Sequence, residues 1–494
     1  MNAMQAKEQI VKTFKAYQAK DEFGQRLIPQ NRQRPLFLIG APGVGKTAVV
    51  EQAAEELNVP LVSYSMTHHT RQSAIGLPYI VDEVFDGETV RTTKYTMSEI
   101  LAAVYKAMEE TGKSEGILFL DEVNCVSETL APAMLQFLQY KVFGQRKLPD
   151  GWMIVTAGNP AQYNDSVHEL DMVTMDRLKK ISVDIDFDAW VQYAVSIKVN
   201  QAVVSFLNLY KDSFSKSQRT PDGLRFVTPR GWVDLAEFIT VEETLGEEIS
   251  MEMIEEYIQD PQIARDFSHY YDLWKCYRTK FNIDGIFAGK ASPAELKGLK
   301  FDEKISLIGL IMEKATVLIN PVMESEKIME GLKNALMAAQ QCVATRKSSN
   351  LQEAMQIVAD EYTEKLETRI ANNMVSRTTS TIERAVITKI RDFAVPGTTV
   401  PAMMDEIKKM TKARNTKMKE VGTQLSNAIE HVKAAFGDGQ ELTILITELT
   451  RSSICGNFIQ AAKVESYYQA TKGLQLTQRE TEIVEQISML DLAV

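Results

Sequence analysis

The stretch L-F-L-I-G-A-P-G-V-G-K-T, residues 36–47, decides the fold. Its four apolar residues predict a short buried strand, and the A-V-V-E-Q-A-A-E-E-L that follows predicts a helix. Between them lies the pattern G-x-x-x-x-G-K-T, in the strand, loop and helix order that a phosphate-binding loop requires. Its glycines let the backbone wrap closely around an anion in front of the helix. A chance match in a loop is the alternative, and the flanking elements disfavour it.

The residues of this loop receive separate predicted roles. Lys46 is expected to reach the β and γ phosphates of a nucleotide, and the Thr47 hydroxyl to be a ligand of Mg²⁺. ATP and Mg²⁺ are therefore the expected cofactors. The rest of the predicted nucleotide-binding set in this segment is Gly40, Ala41, Pro42, Gly43, Val44, Gly45 and Ala48.

Further apolar runs alternate with helical patterns up to about residue 186, which predicts an α/β domain with a mostly parallel sheet. Beyond it the pattern is mainly helical, so we expect a helical lid and an additional all-α C-terminal region. The further predicted strands are 61–65, 117–120, 153–157 and 181–185. The predicted domains are 1–190, 191–285 and 286–494.

Two inserts interrupt the α/β pattern, at about 71–95 and 140–152. The first carries Asp86-Gly87 between β-rich segments, which is a hairpin signal. The second is expected to be a smaller hairpin that turns near Gly144. In the lid region, S-Q-R-T-P-D-G at 217–223 is expected to be a loop.

The apolar run I-L-F-L ends in Asp121-Glu122. Neighbouring parallel strands deliver their carboxyl ends to one edge of a sheet, so this pair is expected beside the phosphate loop. Asp121 is then suited to support Mg²⁺, and Glu122 to orient or deprotonate an attacking water. A solvated pair that caps the following helix is the alternative, and its position after a phosphate loop favours the catalytic interpretation.

The strand at 153–157 leads into G-N-P, which brings Asn159 to the same edge. A neutral amide there can hold the water or sense the terminal phosphate. Taken alone, Asn159 would be a turn residue before Pro160. Its combination with the two preceding motifs favours the sensing role.

Composition limits the class of protein. The 494 residues are enough for two or three domains, and the net charge of −11 weighs against non-specific nucleic-acid binding. The four cysteines lack C-x-x-C spacing, which disfavours a zinc site or a disulfide framework. The N-terminal residues lack the apolar core of a signal peptide, and no uninterrupted apolar run is long enough to span a membrane. We therefore expect a cytoplasmic protein without a membrane span.

Residues 5–280 resemble an AAA+ ATPase, and more narrowly the MoxR group of the helix-2-insert branch. The resemblance rests on the phosphate loop, on I-L-F-L-D-E at 117–122, on Asn159, and on the two inserts. It rests also on D-R-L at 176–178 and T-P-R-G at 228–231.

The resemblance implies a homo-oligomeric ring, usually a hexamer, with ATP sites between subunits. Arg177 matches the arginine that enters the neighbouring subunit's site, although Arg71 and Arg146 are also available for that role. Arg230 matches the lid arginine that contacts phosphate in its own subunit. A surface arginine at a helix start is the alternative for Arg230, because Pro229 suits the first helical turn.

The resemblance further implies that ATP hydrolysis remodels or activates a protein client, with a von Willebrand factor A domain protein as partner. Two rivals stay open. One is a nucleic-acid-handling motor that uses basic residues of the two inserts, namely Arg91, Lys94, Arg146 and Lys147. The other is a nucleotide-gated scaffold with little hydrolysis.

Overall fold

A computed structural model describes residues 1–68, 71–143, 146–163, 167, 170–220 and 223–472. The chain divides into two compact units. The first consists of Met1–Ala189 together with Asp360–Thr381, and the second of Trp190–Ala359 together with Ile382–Val494.

The strands lie in one parallel sheet and three small hairpins. In the sheet the strand order is β2-β5-β8-β1-β9, and every neighbouring pair is parallel. The strands are β1 (Leu36–Ile39), β2 (Leu61–Ser65), β3 (Pro78–Phe85), β4 (Glu88–Tyr95), β5 (Gly116–Asp121), β6 (Val142–Phe143), β7 (Arg146–Lys147), β8 (Trp152–Gly158), β9 (Lys179–Ser182), β10 (Lys216–Thr220) and β11 (Gly223–Val227).

Helices make up most of the rest of the described chain. Those up to the start of the second unit are α1 (Ala3–Gln18), α2 (Lys46–Leu57), α3 (Arg71–Ile75), α4 (Glu99–Thr111), α5 (Ala131–Tyr140), α6 (Met172–Asp176) and α7 (Phe187–Ser196). The later ones are α8 (Gln201–Leu209), α9 (Pro229–Leu245), α10 (Met251–Tyr257), α11 (Pro261–Lys280), α12 (Ile283–Phe287), α13 (Phe301–Ala344), α14 (Leu351–Ala371), α15 (Arg377–Phe393), α16 (Val400–Phe436), α17 (Gln440–Arg451) and α18 (Ser453–Ala462). The predicted α/β core with a parallel sheet, followed by a helical region, is confirmed.

Successive side chains of a strand point to opposite faces of the sheet, and here helices cover both faces. Leu36 and Leu38 of β1 belong to a core that also contains buried residues of α1 and α2. Phe37 belongs to a second core, with buried residues of α4 and α5. The continuous apolar runs of the sequence are therefore explained by a sheet covered on both sides.

The hairpins occupy the two inserts and the region predicted to be a lid. In the first insert, β3 and β4 pair through a turn at Asp86 and Gly87, whose φ angles of 49° and 84° match the favoured two-residue hairpin turn. In the second insert β6 pairs with β7, and the turn expected near Gly144 lies outside the described residues.

The expectation of a loop at 217–223 is wrong for residues 217–220, which lie in β10, and for Gly223, which begins β11. β10 and β11 form an antiparallel pair there, with Ser217 opposite Phe226. The polar sequence S-Q-R-T misled the prediction because these strand residues are largely exposed and carry no apolar alternation.

The short segment Asp360–Thr381, which lies at the end of α14 and the start of α15, packs on the α/β core of the first unit. Leu61 N donates to Asn372 O at 3.1 Å, at the start of β2. Glu55, near the end of α2, accepts hydrogen bonds from Ser376 N at 3.1 Å and Thr379 Oγ1 at 3.0 Å. We call this segment the docking tip.

One helix of the described chain, α13, is long and apolar enough to cross a membrane by length and composition. Of its most apolar window, 61% is buried within the protein. Core helices of soluble proteins pass the same test, so this finding is weak evidence for a membrane span.

Candidate phosphate-binding site

The phosphate loop joins the carboxyl end of β1 to the first residue of α2. Gly45 precedes the helix with a φ of 92°, and Gly43 has a φ of 74°. These are left-handed conformations that favour glycine. Among the described residues no side chain caps this helix start, so the first backbone N–H groups of α2 are available to an anion.

Gly40 begins the loop in close contact with the adjacent edge strand. A Cβ atom at this position would lie 2.4 Å from the carbonyl oxygen of Val183, which directly follows β9. The neighbouring atom is backbone and cannot move aside cheaply. The first glycine of the motif is therefore required by packing, in addition to its role in the loop.

Lys46 is buried, and its ammonium group is held over the loop. Lys46 Nζ donates to Gly40 O at 2.8 Å, to Ala41 O at 3.0 Å and to Asn159 Oδ1 at 2.8 Å. Two of these acceptors are loop carbonyls, and the third is the amide predicted to sense phosphate. The structure thus brings Lys46 and Asn159 together, as the strand order predicts.

Thr47 and Asp121 form the next contact along the same edge of the sheet. Thr47 Oγ1 donates to Asp121 Oδ2 at 3.3 Å, and Asp121 Oδ1 accepts from Glu122 N at 2.8 Å. Adjacent hydroxyl and carboxylate oxygens are ligands that Mg²⁺ accepts, and Mg²⁺ normally needs few protein ligands beside substrate phosphates. The residues present therefore fit this ion.

No cluster of three or more His, Cys, Asp or Glu side chains that could hold a metal occurs among the described residues. The candidate Mg²⁺ site described above has instead one hydroxyl and one carboxylate, those of Thr47 and Asp121. Such a site binds metal well only together with the phosphates of a nucleotide.

Glu122 has an unusual backbone and two hydroxyl partners. Its φ of 56° is left-handed, which is uncommon for a residue with a side chain and indicates local constraint. Glu122 Oε2 accepts hydrogen bonds from Ser65 Oγ at 3.0 Å and from Thr67 Oγ1 at 2.8 Å. The carboxylate is therefore held toward the end of β2.

Sequence reasoning missed Ser65 and Thr67. The available signal was that Ser65 ends β2, the neighbour of β5, and pairs in register with Asp121. Any hydroxyl at the end of that strand lies beside the Asp121-Glu122 pair.

Asn159 is fixed by a second residue that the sequence did not reveal. Asn124 Nδ2 donates to Asn159 O at 2.8 Å. The contact is tight, since a Cβ atom on Gly158 would lie 2.3 Å from Asn124 Oδ1. Asn124 thus positions the backbone from which the Asn159 amide reaches Lys46.

Cys125 lies close to this site but is unsuited to act as a nucleophile. Burial raises the pKa of the Cys125 thiol, and the negative charges of Glu122 and Asp121 raise it further. The thiolate is the reactive form of cysteine. Cys125 therefore stays a protonated thiol at neutral pH.

Arg177 lies at the opposite edge of the sheet from the loop. It directly follows α6, its side chain is exposed, and β9 begins two residues later, with Lys179 opposite Leu36. The phosphate loop begins after Ile39, at the carboxyl end of β1. The three residue steps from Leu36 to Ile39 span about 10 Å along the strand. Arg177 therefore lies at the other end of the strands from the phosphate loop.

The other predicted arginines have different positions. Arg146, in β7, is exposed, and the side chain of Arg71, at the start of α3, lies outside the described residues. Arg230 is the exposed second residue of α9, behind the Thr228 cap, in the second unit. Its contact with phosphate stays a prediction.

The fold and the site together define a P-loop nucleotide-binding domain. Residues 35–178 match the family of AAA domains of the dynein-related subfamily. This part of the chain is accordingly an AAA domain, and the narrower MoxR resemblance is compatible with that match.

No curated protein matches the chain. Among solved structures, NtrX from Brucella abortus is similar to it with 17% sequence identity and a TM-score of 0.24. The matched region covers 44% of this chain and 43% of NtrX. A similarity this low carries no argument about function.

Proposed function

We propose that the protein is a MoxR-like ATPase that hydrolyses ATP to ADP and phosphate. In this proposal the subunits form a homo-oligomeric ring, a hexamer. The observation that carries this proposal is the joint placement of Lys46 with Asn159 and of Thr47 with Asp121 at one sheet edge. The AAA match over residues 35–178 supports the same conclusion.

In this mechanism the terminal phosphates of ATP replace the carbonyl and amide acceptors of Lys46. The N–H groups at the start of α2 bind phosphate oxygens, and Asn159 is released to contact the terminal phosphate or the attacking water. Thr47 and Asp121 would hold Mg²⁺, which neutralises charge on the phosphates. Glu122 accepts the proton of the attacking water.

Two arginines complete the proposed site. Arg177 enters the site of the neighbouring subunit and stabilises charge on the transferred phosphoryl group. Its exposure and its position at the other end of the strands from its own phosphate loop support this assignment. Arg230 is proposed to contact phosphate of its own subunit and to link nucleotide state to the lid.

The work done with ATP is proposed to be remodelling or activation of a protein client in the cytoplasm, with a von Willebrand factor A domain protein as partner. The nucleic-acid rival is weakened by the first insert. There Arg91 pairs with Asp82 at 3.4 Å, and Lys94 pairs with Glu83 at 2.5 Å. Phosphate groups would have to compete with these carboxylates for the two hairpin cations.

The proposal is tested by Glu122→Gln, with Glu128→Gln as the matched control, since Glu128 is an exposed carboxylate nearby. ATP binding and phosphate release are measured on the assembled protein. Glu122→Gln should bind ATP like the unmodified protein and lose turnover by about 100-fold or more, whereas Glu128→Gln should retain it. Normal turnover in Glu122→Gln would refute the mechanism, and no turnover in the assembled unmodified protein would favour the scaffold rival.

A further inference from the structure

An open groove in the second unit runs along α16 beside α13. It has a volume of about 630 Å³. Lysine side chains, two apolar side chains and short polar side chains line it: Lys333, Met404, Ile407, Lys408, Thr411, Lys412, Asn415, Thr416 and Lys419. We call it the lysine groove.

The groove is positively charged within an acidic protein. The segment of α16 from residue 407 to 419, I-K-K-M-T-K-A-R-N-T-K-M-K, has six basic residues and no acidic one, whereas the whole chain has a net charge of −11. Four of the six basic residues are ion-paired: Lys408 with Asp405, Lys409 with Glu406, Arg414 with Glu326 and Lys417 with Glu420. In the described part of the chain, Lys333, Lys412 and Lys419 have no ion-pair partner.

The arrangement of the lining residues favours an elongated ligand. Lys408, Lys412 and Lys419 recur at helical spacing along one side of α16, and Lys333 is contributed by α13. From Met404 to Lys419 the helix advances about 22 Å. This length accommodates about four turns of a helix laid along the groove.

The floor of the groove is apolar. Ile407 is buried, while Met404 is 40% exposed and leaves a flexible thioether side chain open to a ligand. Methionine adapts to irregular apolar partners and is common at surfaces that bind peptides. The groove thus combines an apolar floor with cationic rims.

The same lining disfavours single-stranded nucleic acid as the ligand. Recognition of single strands depends on aromatic side chains on which bases stack, together with arginine. The described lining contains neither an aromatic residue nor arginine. A ligand with carboxylates and apolar side chains matches it better.

We propose that the lysine groove binds an acidic amphipathic segment of a protein partner. Apolar side chains of that segment lie against Met404, and its carboxylates pair with Lys333, Lys412 and Lys419. The inference deepens the proposed client role by naming the chemistry of the recognised segment. It rests on that role but not on ATP turnover, because the groove lies wholly in the second unit.

The test uses the full chain without nucleotide and a labelled synthetic peptide of about 16 residues, enough for four helical turns. Leucines occupy one face of the peptide and glutamates the other. Fluorescence anisotropy at physiological salt should show binding that weakens as salt rises. The triple variant Lys333→Gln, Lys412→Gln and Lys419→Gln should weaken it by about tenfold, and Met404→Gln by about threefold.

A matched triple variant, Lys290→Gln, Lys297→Gln and Lys463→Gln, removes the same charge from exposed positions outside the groove. It should bind the peptide within about twofold of the unmodified protein. Glutamine keeps a high helix propensity, and circular dichroism verifies that both triple variants are folded.

Three results would overturn the proposal: no binding of the peptide, equal weakening by the two triple variants, or displacement of the peptide by oligothymidylate. If the unmodified protein binds the peptide but does not hydrolyse ATP, that result counts against the proposed function alone. The two proposals can therefore fail separately.

Discussion

The two edges of the parallel sheet differ in how their charged side chains are satisfied. At the carboxyl edge, Lys46 and Glu122 each have several partners from their own chain. At the amino edge, Arg177 is exposed and has no hydrogen-bond or ion-pair partner for its side chain among the described residues. In the proposed mechanism, the first edge contains most of the catalytic site, and the second presents a cation that completes the site of another subunit.

The largest expected effect comes from removing that cation. Arg177→Ala should lower ATP turnover by about 10³ to 10⁵, because a trans-acting arginine stabilises charge that develops only in the transition state. ATP affinity should change little. Phosphate release and nucleotide binding are measured on the assembled protein.

Arg34→Ala is the matched control for this prediction. Arg34 also lies at the amino edge, where it pairs with Asp176 at 3.7 Å. Its loss should leave turnover within about twofold, since an exposed ion pair contributes little. Equal losses of ATP turnover in Arg177→Ala and Arg34→Ala would show that the amino edge contributes only to structure.

The amino edge also contains a buried cation, Lys141, whose role is structural. Its Nζ donates to Gln30 O and to Gln33 O, the latter at 2.7 Å, and burial lowers the pKa of Lys141 to about 8. Below pH 8 the folded and unfolded chains both carry the proton. Between pH 8 and about 10 the unfolded chain binds more protons, so stability should rise with pH by about 2 to 3 kcal/mol.

Chemical denaturation at pH 7 and pH 10 tests this rise against Lys141→Met, which lacks the titrating group. Other groups titrate equally in both proteins, so the stability difference between them isolates Lys141. The free energy of unfolding of the unmodified protein should increase relative to that of Lys141→Met as the pH rises. A difference that does not change with pH would contradict the assigned pKa.

The docking tip gives a smaller prediction at the same edge. Glu55→Ala removes the acceptor of Ser376 N and Thr379 Oγ1 and should cost about 1 to 2 kcal/mol of unfolding free energy. Hydrogen exchange should increase within 372–380. Glu56→Ala is the control, because within the described ranges Glu56 makes only an exposed ion pair, with Lys7 at 2.8 Å. The prediction fails if both variants open the docking tip equally.

The smallest predicted effect concerns the carboxyl edge. Ser65→Ala with Thr67→Val removes both hydroxyl donors that hold the Glu122 carboxylate toward β2. The freed carboxylate should reach the attacking water more readily, raising basal turnover about threefold with ATP affinity unchanged. Lower turnover would mean that the hydroxyls orient Glu122 for catalysis.

The sequence was sufficient to predict the α/β core because its strands are continuous apolar runs such as L-F-L-I. The placement of the phosphate loop, Asp121 and Asn159 at one edge also followed, since parallel strands share one carboxyl edge. In contrast, β10 was missed because its residues are polar and exposed. An alternation of apolar and polar residues marks a strand only when one of its faces is buried, so an exposed hairpin gives no such signal.

Contacts between distant segments were beyond prediction for a different reason. The hydrogen bonds of the docking tip to Glu55 and Leu61 join residues more than 300 positions apart, and no local pattern marks them. The lysine groove likewise depends on α13 lying beside α16. The basic run of α16 was visible in the sequence, but its partner Lys333 was not.

The central claim is that Arg177 and Glu122 act in the same site from different subunits. The most direct measurement is ATP turnover in a mixture of Arg177→Ala and Glu122→Gln subunits, each inactive alone. The mixture should recover activity, because an intact Glu122 in one subunit then meets an intact Arg177 from its neighbour. A mixture that assembles and stays as inactive as its components would contradict the claim.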